Sequence, residues 1–381
     1  MTFRNTAINT GLVVAACLFT LFAIEKIFLS SLHLLPLKHH VHLPEYIQPL
    51  AQPTKQGTIP KDHILVLGDS YAKGYGDWLY NSDFDTNPAF HSGDVIASQT
   101  NRDLITIGKS GAGSIRGLIY QPAAFSGTTA RAQIHIPTPK DVLIYFYEGN
   151  DLNNNMKEAR KLDILLENKP SMMQIESTLN SYYGQVYNTH YSEKEECTQY
   201  LSKCFFMAIL NTKTENHIKI KWQWDKSNLN QVKLAKGRMP IPDRLQSPAM
   251  ELSEDELNFS LRVFEASLRT ILNKIPEAKF RIVYIPSPLA SYSYANNSVS
   301  IEVYQNGKKE QSSSDVWPRS ADIAARVKDI TLRNNVSFIN TTPSIQELGA
   351  TNIIHGPQDW YHFNRQGYER LAKAILDNSQ L

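Results

Sequence analysis

Ile64-Leu65-Val66-Leu67-Gly68-Asp69-Ser70 is the stretch of sequence that decides the fold. Its apolar run has the composition of a strand that is buried on both faces of a parallel sheet. Gly68 lets the chain turn where a side chain would clash, which puts Ser70 just beyond the carboxyl end of the strand. Open α/β sheets bind their ligands at that edge. Ser70 is therefore a candidate nucleophile; the alternative is an ordinary strand-to-helix turn with Ser70 as the helix cap.

Further strand-like runs alternate with helical patterns along the chain. They are Leu104–Ile107, Val142–Tyr147, Phe280–Ile285 and Val336–Ile339. Strands separated by helices imply parallel βαβ connections. The sequence thus predicts an α/β fold, a three-layer α/β/α sandwich around a mostly parallel five-stranded sheet. Ser253 and Glu256 form a capping box that starts one helix, and a last helix is predicted to begin near Asn364.

The composition excludes several classes of function. Lys and Arg total 39 against 37 Asp and Glu, so the formal net charge of +2 provides no broad positive field for nucleic acid. No spacing of Cys and His fits a zinc site, and we expect neither a metal nor another cofactor. With 381 residues and 42% hydrophobic content, the chain can bury one large core or two moderate ones.

The N-terminal part has a different character. Residues 8–24 carry no charge, and the apolar pattern resumes after Glu25 and Lys26, so residues 1–35 are predicted to form a membrane anchor. Residues 36–60 contain five prolines among polar residues and are predicted to be an extended spacer. Arg4 favours a cytoplasmic N-terminus. This predicts a single-pass protein of a bacterial-type inner membrane with its main domain, residues 61–381, on the periplasmic side.

Between about residues 152 and 250 the alternation of strands and helices fails, and we expect an inserted cap over the active edge of the sheet. Residues 217–225 alternate strictly, which places Trp222 and Trp224 on one face of a strand. That face either packs the insertion onto the domain or stacks against a sugar. Cys197 and Cys204 suit a small disulfide loop in an oxidising compartment, and two free thiols are the alternative.

Two segments that follow strands can supply hydrogen-bond donors beside Ser70. Residues 106–114 are glycine-rich, so one of their backbone N–H groups can face an oxyanion, and a simple tight turn is the alternative. Asn150 follows the third strand at the same sheet edge, and its side-chain amide can donate a neutral hydrogen bond to developing negative charge.

A base for Ser70 is offered just before the last helix. Asp359 and His362 are three residues apart, a spacing at which the carboxylate can fix the imidazole tautomer while the other ring nitrogen faces Ser70. His355 is a rival base nearby. His362 is preferred because it alone has a carboxylate at the spacing that this geometry needs.

These segments resemble, in order, the four blocks of the SGNH or GDSL-type hydrolases. The blocks are Gly68-Asp69-Ser70, the loop centred on Gly111, Gly149-Asn150-Asp151, and Asp359-Trp360-Tyr361-His362. The resemblance covers about residues 61–151 and 253–381. It implies that Ser70 is the nucleophile, His362 the general base and Asp359 the orienting acid. It further implies an oxyanion hole made of the N–H groups of Ser70 and Gly111 and the amide of Asn150.

The sequence departs from the family pattern at two positions. Tyr71 stands where many members have leucine, and Thr106 replaces an asparagine often found at the start of the second block. These departures leave the chemistry intact, but they leave the subfamily and the substrate open.

The resemblance implies a serine hydrolase of O-acyl esters. The predicted anchor together with Trp222 and Trp224 favours a cell-envelope glycan that carries O-acetyl groups as the substrate, and lipid esters of the bilayer are the alternative. The expected mechanism passes through an acyl-enzyme. If a sugar hydroxyl replaces water as the acceptor, the same residues make an O-acyltransferase of an envelope polysaccharide. A hypothesis from another class is a catalytically silent protein that binds glycans or acts as a scaffold.

Overall fold

The computed structural model describes residues 2–77, 91–192, 200–211, 230–303 and 307–381. The strands in these ranges are β1 (Ile64–Gly68), β2 (Leu104–Gly108), β3 (Asp141–Tyr147), β4 (Asn230–Leu234), β5 (Gly237–Ile241), β6 (Lys279–Ile285), β7 (Ser298–Val303), β8 (Gly307–Ser312) and β9 (Ser337–Asn340). The central sheet has the order β2-β1-β3-β6-β9, and every neighbouring pair in it is parallel. This confirms the predicted α/β fold and its five-stranded sheet.

Eleven helices lie in the described ranges. They are α1 (Thr2–Ser31), α2 (Ser70–Lys73), α3 (Ser92–Thr100), α4 (Gln121–Arg131), α5 (Asp151–Lys161), α6 (Met172–Ser192), α7 (Leu201–Asn211), α8 (Glu254–Lys274), α9 (Val316–Arg333), α10 (Thr342–Gly349) and α11 (Arg365–Asp377). A π-helical stretch, Ile115–Tyr120, leads directly into α4. The capping box predicted at Ser253 and Glu256 starts α8, and Asn364 caps α11.

The sheet separates two apolar layers because successive strand residues point to opposite faces. On one face, Leu65 and Leu67 of β1 join a cluster that includes residues of α8 and α9. On the other face, Ile64 and Val66 join a cluster with residues of α3, α10 and α11. All five residues of β1 are buried, as expected for a strand in the middle of a sheet covered on both sides.

The described part of the predicted insertion packs on both layers of the domain. Helix α6 contacts α4 and α8 on one layer, whereas Val232 and Ile241 of the β4–β5 hairpin belong to the apolar cluster of the other layer. A single cap over one sheet edge is therefore not what these residues form. The strand predicted at residues 217–225, with Trp222 and Trp224, lies outside the described residues.

Residues 36–60 are packed against the domain, so the prediction of an extended spacer is wrong. This segment contains two 3₁₀ helices, Leu37–His42 and Gln48–Ala51, and its residues Leu43, Ile47 and Leu50 are buried in the core. The side chain of Gln52 is hydrogen-bonded to β2, the strand at one edge of the sheet. Its amide donates to the carbonyl and hydroxyl oxygens of Thr106, and its carbonyl accepts from the Thr106 N–H, at 2.8 Å in each case. Thr106, one of the two departures from the family pattern, thus anchors this segment.

The N-terminal helix α1 has a long apolar surface. The stretch Ile8–Leu34 is long and apolar enough to cross a membrane, by length and composition. Cys17 in this stretch is a free thiol, whereas Cys204 in α7 is disulfide-bonded. Cys197, its predicted partner, lies outside the described residues.

Candidate active site

The turn after β1 presents Ser70 at the carboxyl edge of the sheet. Gly68 has φ +150°, and a Cβ atom at this position would lie 2.8 Å from the carbonyl oxygen of Tyr145 on β3, so a side chain does not fit. Asp69 caps α2, since its Oδ1 accepts a hydrogen bond of 2.8 Å from the N–H of Tyr71. The helix cap is therefore Asp69, and Ser70 is the first residue of α2 with its hydroxyl available for other contacts.

The structure brings Ser70, His362 and Asp359 together. The Nε2 atom of His362 lies 2.7 Å from Ser70 Oγ, and its Nδ1 atom lies 2.6 Å from Asp359 Oδ2. The second carboxylate oxygen of Asp359 accepts from the backbone N–H groups of Tyr361 and His362, at 3.0 and 3.3 Å. These contacts form a continuous chain of hydrogen bonds from a hydroxyl through an imidazole to a carboxylate.

The electrostatics of the pair favour a charged imidazole. Burial lowers the pKa of His362, but the charge and hydrogen bond of Asp359 together with the charge of Asp69 raise it more, and the net direction is upward from 6.5. Burial raises the pKa of Asp359, but the interaction with His362 and the two backbone N–H groups bring it below its ordinary value. An imidazolium formed by proton uptake from Ser70 would therefore be stabilised by an ionised carboxylate.

His355, the rival base, lies in a different environment. Its Nδ1 atom is 2.9 Å from the hydroxyl of Tyr292, and its ring packs against Phe363. The side chain is fully buried, and burial lowers its pKa to about 3. No contact with Ser70 is made, so His355 is a core residue that packs behind the segment carrying His362.

Two of the predicted oxyanion donors have free N–H groups. In the described part of the chain, the backbone N–H groups of Ser70 and Gly111 donate to no other group. Gly111 has φ +63° and lines an open cleft. Both N–H groups are thus without a hydrogen-bond partner in the described ranges.

The third predicted donor, Asn150, is next to the same turn. Its side-chain amide hydrogen-bonds the carboxylate of Asp69, which in turn lies 3.3 Å from Ser70 Oγ. The amide oxygen Oδ1 is buried and accepts from no group within the described ranges. Burial raises the pKa of Asp69, against the hydrogen bonds from Tyr71, Ser70 and Asn150. The side chain of Asp69 therefore lies between Asn150 and the Ser70 hydroxyl and contacts both.

Sequence reasoning missed two residues that hold the Gly111 loop. The carboxylate of Glu158 accepts from the N–H groups of Gly113 and Arg116, at 2.7 and 2.9 Å, and the amide oxygen of Asn155 accepts from the N–H of Ser114 at 2.6 Å. Both side chains belong to α5, the helix that begins directly after Asn150. One helix thus sets the positions of two predicted oxyanion donors. One feature of the sequence could have indicated Asn155 and Glu158: the polar segment that directly follows Gly149-Asn150-Asp151.

Two further residues hold the segment that carries His362. Asp77 Oδ1 accepts from the backbone N–H groups of Gln358 and Asp359, at 2.6 Å each. Tyr71, the other departure from the family pattern, donates its hydroxyl to the carbonyl oxygen of Tyr361 at 2.9 Å, and its ring centroid lies 5.3 Å from that of His362. The residue after the candidate nucleophile therefore positions the candidate base.

A cleft of about 480 Å³ opens at Gly111. Three tyrosines, Tyr46, Tyr120 and Tyr182, line it together with polar and charged side chains that include Arg116 and Lys161. In the described ranges, no group of three or more His, Cys, Asp or Glu side chains is arranged to hold a metal ion. The cleft offers aromatic faces and hydrogen-bond donors, which are the groups that bind polar, ring-shaped molecules.

No protein-family model and no curated protein sequence matches this chain. Solved structures do align with it. The extracellular lipase of Streptomyces rimosus is 13% identical, over 83% of this chain and 99% of the lipase, with a TM-score of 0.40. Phospholipase A1 of Streptomyces albidoflavus is 10% identical, over 83% of this chain and 99% of its own, with a TM-score of 0.37.

An acetyl-xylooligosaccharide esterase from Geobacillus is 13% identical, over 84% of this chain and 94% of its own, with a TM-score of 0.35. Other neighbours are lipolytic proteins of the G-D-S-L family from Desulfitobacterium hafniense and Veillonella parvula. At such low identity, these names describe the neighbours alone. The function of this chain has to follow from its own site.

Proposed function

We propose that this chain is a serine ester hydrolase that cleaves O-acyl esters, O-acetyl esters above all, of a cell-envelope glycan or lipid. One observation carries the proposal: the hydrogen-bond chain from Ser70 Oγ through both nitrogens of His362 to Asp359. A hydroxyl whose proton can pass to a base with a carboxylate behind it is an activated nucleophile. A serine that only capped a helix would have no need of this arrangement.

The proposed reaction has two steps. Ser70 Oγ attacks the ester carbonyl while His362 Nε2 takes its proton, and Asp359 stabilises the imidazolium. The N–H groups of Ser70 and Gly111 and the amide of Asn150 would bind the oxyanion of the tetrahedral intermediate. The alcohol leaves with the proton from His362 Nε2, and an acyl group remains on Ser70. Water then attacks the acyl-enzyme, with His362 as its base, and restores the free hydroxyl.

The proposed substrate class is supported by the cleft beside Gly111. Its tyrosine faces suit sugar rings, and its charged side chains suit the polar part of a glycan or of a lipid. The apolar stretch of α1 supports a location at a membrane, where envelope glycans and lipids are both within reach. We propose the periplasmic face of an inner membrane, with α1 as the anchor.

The same cleft favours a second candidate, an O-acyltransferase. If a sugar held in the cleft extends a hydroxyl to the acyl group on Ser70 during the second step, that hydroxyl takes the acyl group in place of water, and the residues that act are the same. A silent glycan-binding protein is the remaining hypothesis. It requires that Ser70 be unreactive.

Reaction of the full-length protein, in detergent, with a fluorophosphonate probe separates the active from the silent hypotheses. We expect labelling of Ser70, located by the mass of the modified peptide, and its loss in Ser70→Ala. The matched control is Ser98→Ala, an exposed serine on α3, which should label like the unmodified chain. Absence of labelling in the unmodified protein contradicts the proposal and supports the silent hypothesis.

Substrate assays then separate the two active candidates. The protein is incubated with nitrophenyl acetate, an O-acetylated glycan or a phospholipid, each with and without an unacetylated sugar as acceptor. Release of free acid without dependence on the sugar supports the hydrolase. Acyl-sugar formed at the expense of free acid supports the transferase. The donor that is consumed fastest identifies the substrate class.

A further inference from the structure

Glu25 is the one acidic residue in the apolar stretch of α1, and it has a specific partner. Its carboxylate accepts hydrogen bonds from the backbone N–H groups of Leu201 and Ser202, at 2.9 and 3.0 Å, and from the hydroxyl of Ser202 at 2.5 Å. Leu201 and Ser202 are the first residues of α7, where the N–H groups lack partners within the helix. Glu25 thus caps α7 and fixes its beginning to one side of α1.

The position of Glu25 along α1 sets the depth of this contact. The hydrocarbon core of a bilayer is crossed by about 20 helical residues. The apolar stretch Ile8–Leu34 is longer than this. If the hydrocarbon begins at Ile8, it ends at Ile27, and Glu25 lies in the last turn of the span. Helix α7 therefore begins where the hydrocarbon meets the lipid headgroups, if α1 crosses the membrane as proposed above.

Helix α7 has one face toward the protein and one apolar face toward the outside. Phe205 is buried, and its ring centroid lies 5.1 Å from that of Phe28 on α1. Phe206, Met207 and Leu210 are 53%, 49% and 78% exposed, and the ring of Phe206 borders that of Phe28 at 6.2 Å. Three large apolar side chains on one exposed face of an 11-residue helix are unusual for a surface in water.

This apolar surface continues onto the segment that follows α1. Leu34 and Val41 are also exposed, and the 3₁₀ helix Leu37–His42 contacts α7. The rings of His39 and His42 lie 6.2 and 6.1 Å from that of Phe205. We call Leu34, Val41, Phe206, Met207 and Leu210 the collar, because they come from two segments on the same end of α1.

We infer that the collar inserts into the headgroup boundary of the bilayer around α1, as a second membrane contact of this chain. The inference rests on the proposed membrane location. The occupant is lipid because the collar is next to the exposed apolar surface of α1, and because Lys26 on α1 and Lys203 on α7 are exposed and can bind anionic headgroups. With residues 36–60 packed on the sheet, two contacts hold the domain at a fixed orientation to the membrane surface.

The test uses the full chain with Cys17→Ser, so that an added cysteine is the one free thiol in the described ranges. Leu210→Cys carries an environment-sensitive NBD label, attached without reductant so that the disulfide of Cys204 stays intact. The control is Met173→Cys, at the start of α6, where Met173 is 80% exposed. A third label, at Phe19→Cys, reports whether α1 itself is in contact with lipid. Each protein is reconstituted into phosphatidylcholine–phosphatidylglycerol vesicles with and without doxyl-labelled lipid.

We expect doxyl lipid to quench the label at position 210 several-fold more strongly than the label at position 173. Strong quenching at position 19 with none at position 210 overturns the collar but leaves the proposed location intact. If neither the label at position 19 nor the label at position 210 is quenched, both the collar and the proposed membrane location are overturned. A blue-shifted, unquenched label at position 210 whose emission depends on protein concentration indicates a second copy on this face and also overturns the inference. Quenching does not require ester hydrolysis, so it is independent of the proposed activity.

Discussion

The carboxylate of Glu158 on α5 is hydrogen-bonded to the backbone N–H of Gly113, two residues after Gly111, at 2.7 Å. Its other oxygen accepts from the N–H of Arg116 at 2.9 Å. Gly111 bears no side chain that could anchor it, and its backbone has a left-handed conformation. The position of its N–H group therefore depends on neighbours in the loop that α5 holds in place.

Glu158→Gln tests this dependence. The amide has one oxygen where the carboxylate has two, and its NH₂ group would face a backbone donor. We expect kcat on nitrophenyl acetate to fall by on the order of 10-fold to 10²-fold, with a small change in KM, because misplaced oxyanion donors act on the transition state. Glu167→Gln, an exposed glutamate, is the matched control. An unchanged kcat in Glu158→Gln would show that the loop keeps its position without this contact.

Asn150→Ala tests the side-chain donor of the proposed oxyanion hole. Removal of one such donor typically lowers kcat on the order of 10²-fold to 10³-fold, about 2.7 to 4 kcal/mol. Asn150→Asp, of equal size, places a second carboxylate against that of Asp69, so its kcat should fall by at least as much. Steady-state kinetics measure the effect, and thermal unfolding of both variants reports their folding. Normal turnover in a folded Asn150→Ala protein is the result that refutes the assignment.

The pH dependence of kcat/KM follows from the pair of His362 and Asp359. The base must be neutral to accept the Ser70 proton, and Asp359 raises the pKa of His362, so activity should be lost as pH falls through a value above 6.5. Asp359→Asn removes the two larger causes that raise the pKa of His362 and leaves the smaller contribution of Asp69. We expect the acid limb of the kcat/KM profile of this variant to lie at lower pH. We also expect its kcat to fall on the order of 10³-fold to 10⁴-fold.

Profiles of kcat/KM across the range from about pH 5 to about pH 9 check this expectation, since they report the pKa of the base in the free enzyme. Asp329→Asn, an exposed position on α9, serves as the control and should keep the original limb. An acid limb that stays in place in Asp359→Asn would mean that another group titrates.

Glu148 provides a prediction on stability. This fully buried carboxylate, one residue before Gly149, accepts from the hydroxyls of Tyr284, Ser287 and Ser320 and from the Ser287 N–H. Glu148→Gln leaves at least one of these donors without an acceptor, which should lower the free energy of unfolding by about 1 to 3 kcal/mol. Denaturant titration in detergent measures it.

The matched control for Glu148→Gln is Glu347→Gln, a mostly exposed residue that pairs with Arg370 at the surface. Surface pairs contribute about 0 to 1 kcal/mol, so we expect a much smaller change there. Equal losses in the two variants would show that the buried carboxylate has no special role in stability.

The sequence was sufficient for the sheet and for the meeting of Ser70 with His362 and Asp359. The candidate residues at positions 70, 111 and 150 follow the carboxyl ends of β1, β2 and β3 closely, and neighbouring parallel strands end at one edge. A residue that directly follows one of these strands in the sequence therefore lies at the same edge of the sheet as the other two. Their catalytic roles stay predictions until the kinetic tests above are done.

The residues that hold the site were beyond sequence reasoning. Glu158 and Asp77 act on backbone N–H groups, which carry no signal in the sequence, and their targets are 45 and 281 positions away. The spacer prediction was wrong for a related reason. Proline content indicated an extended segment, whereas the apolar residues between the prolines, such as Leu43 and Ile47, decided that it would be buried.

The hydrogen bond between Ser70 and His362 joins positions 292 residues apart. A contact of such high sequence separation requires the closure of a very long loop, which slows its formation during folding. The unfolded or partly folded chain has no base beside Ser70. If Ser70 attacks esters as proposed, that reactivity arises only when folding is nearly complete.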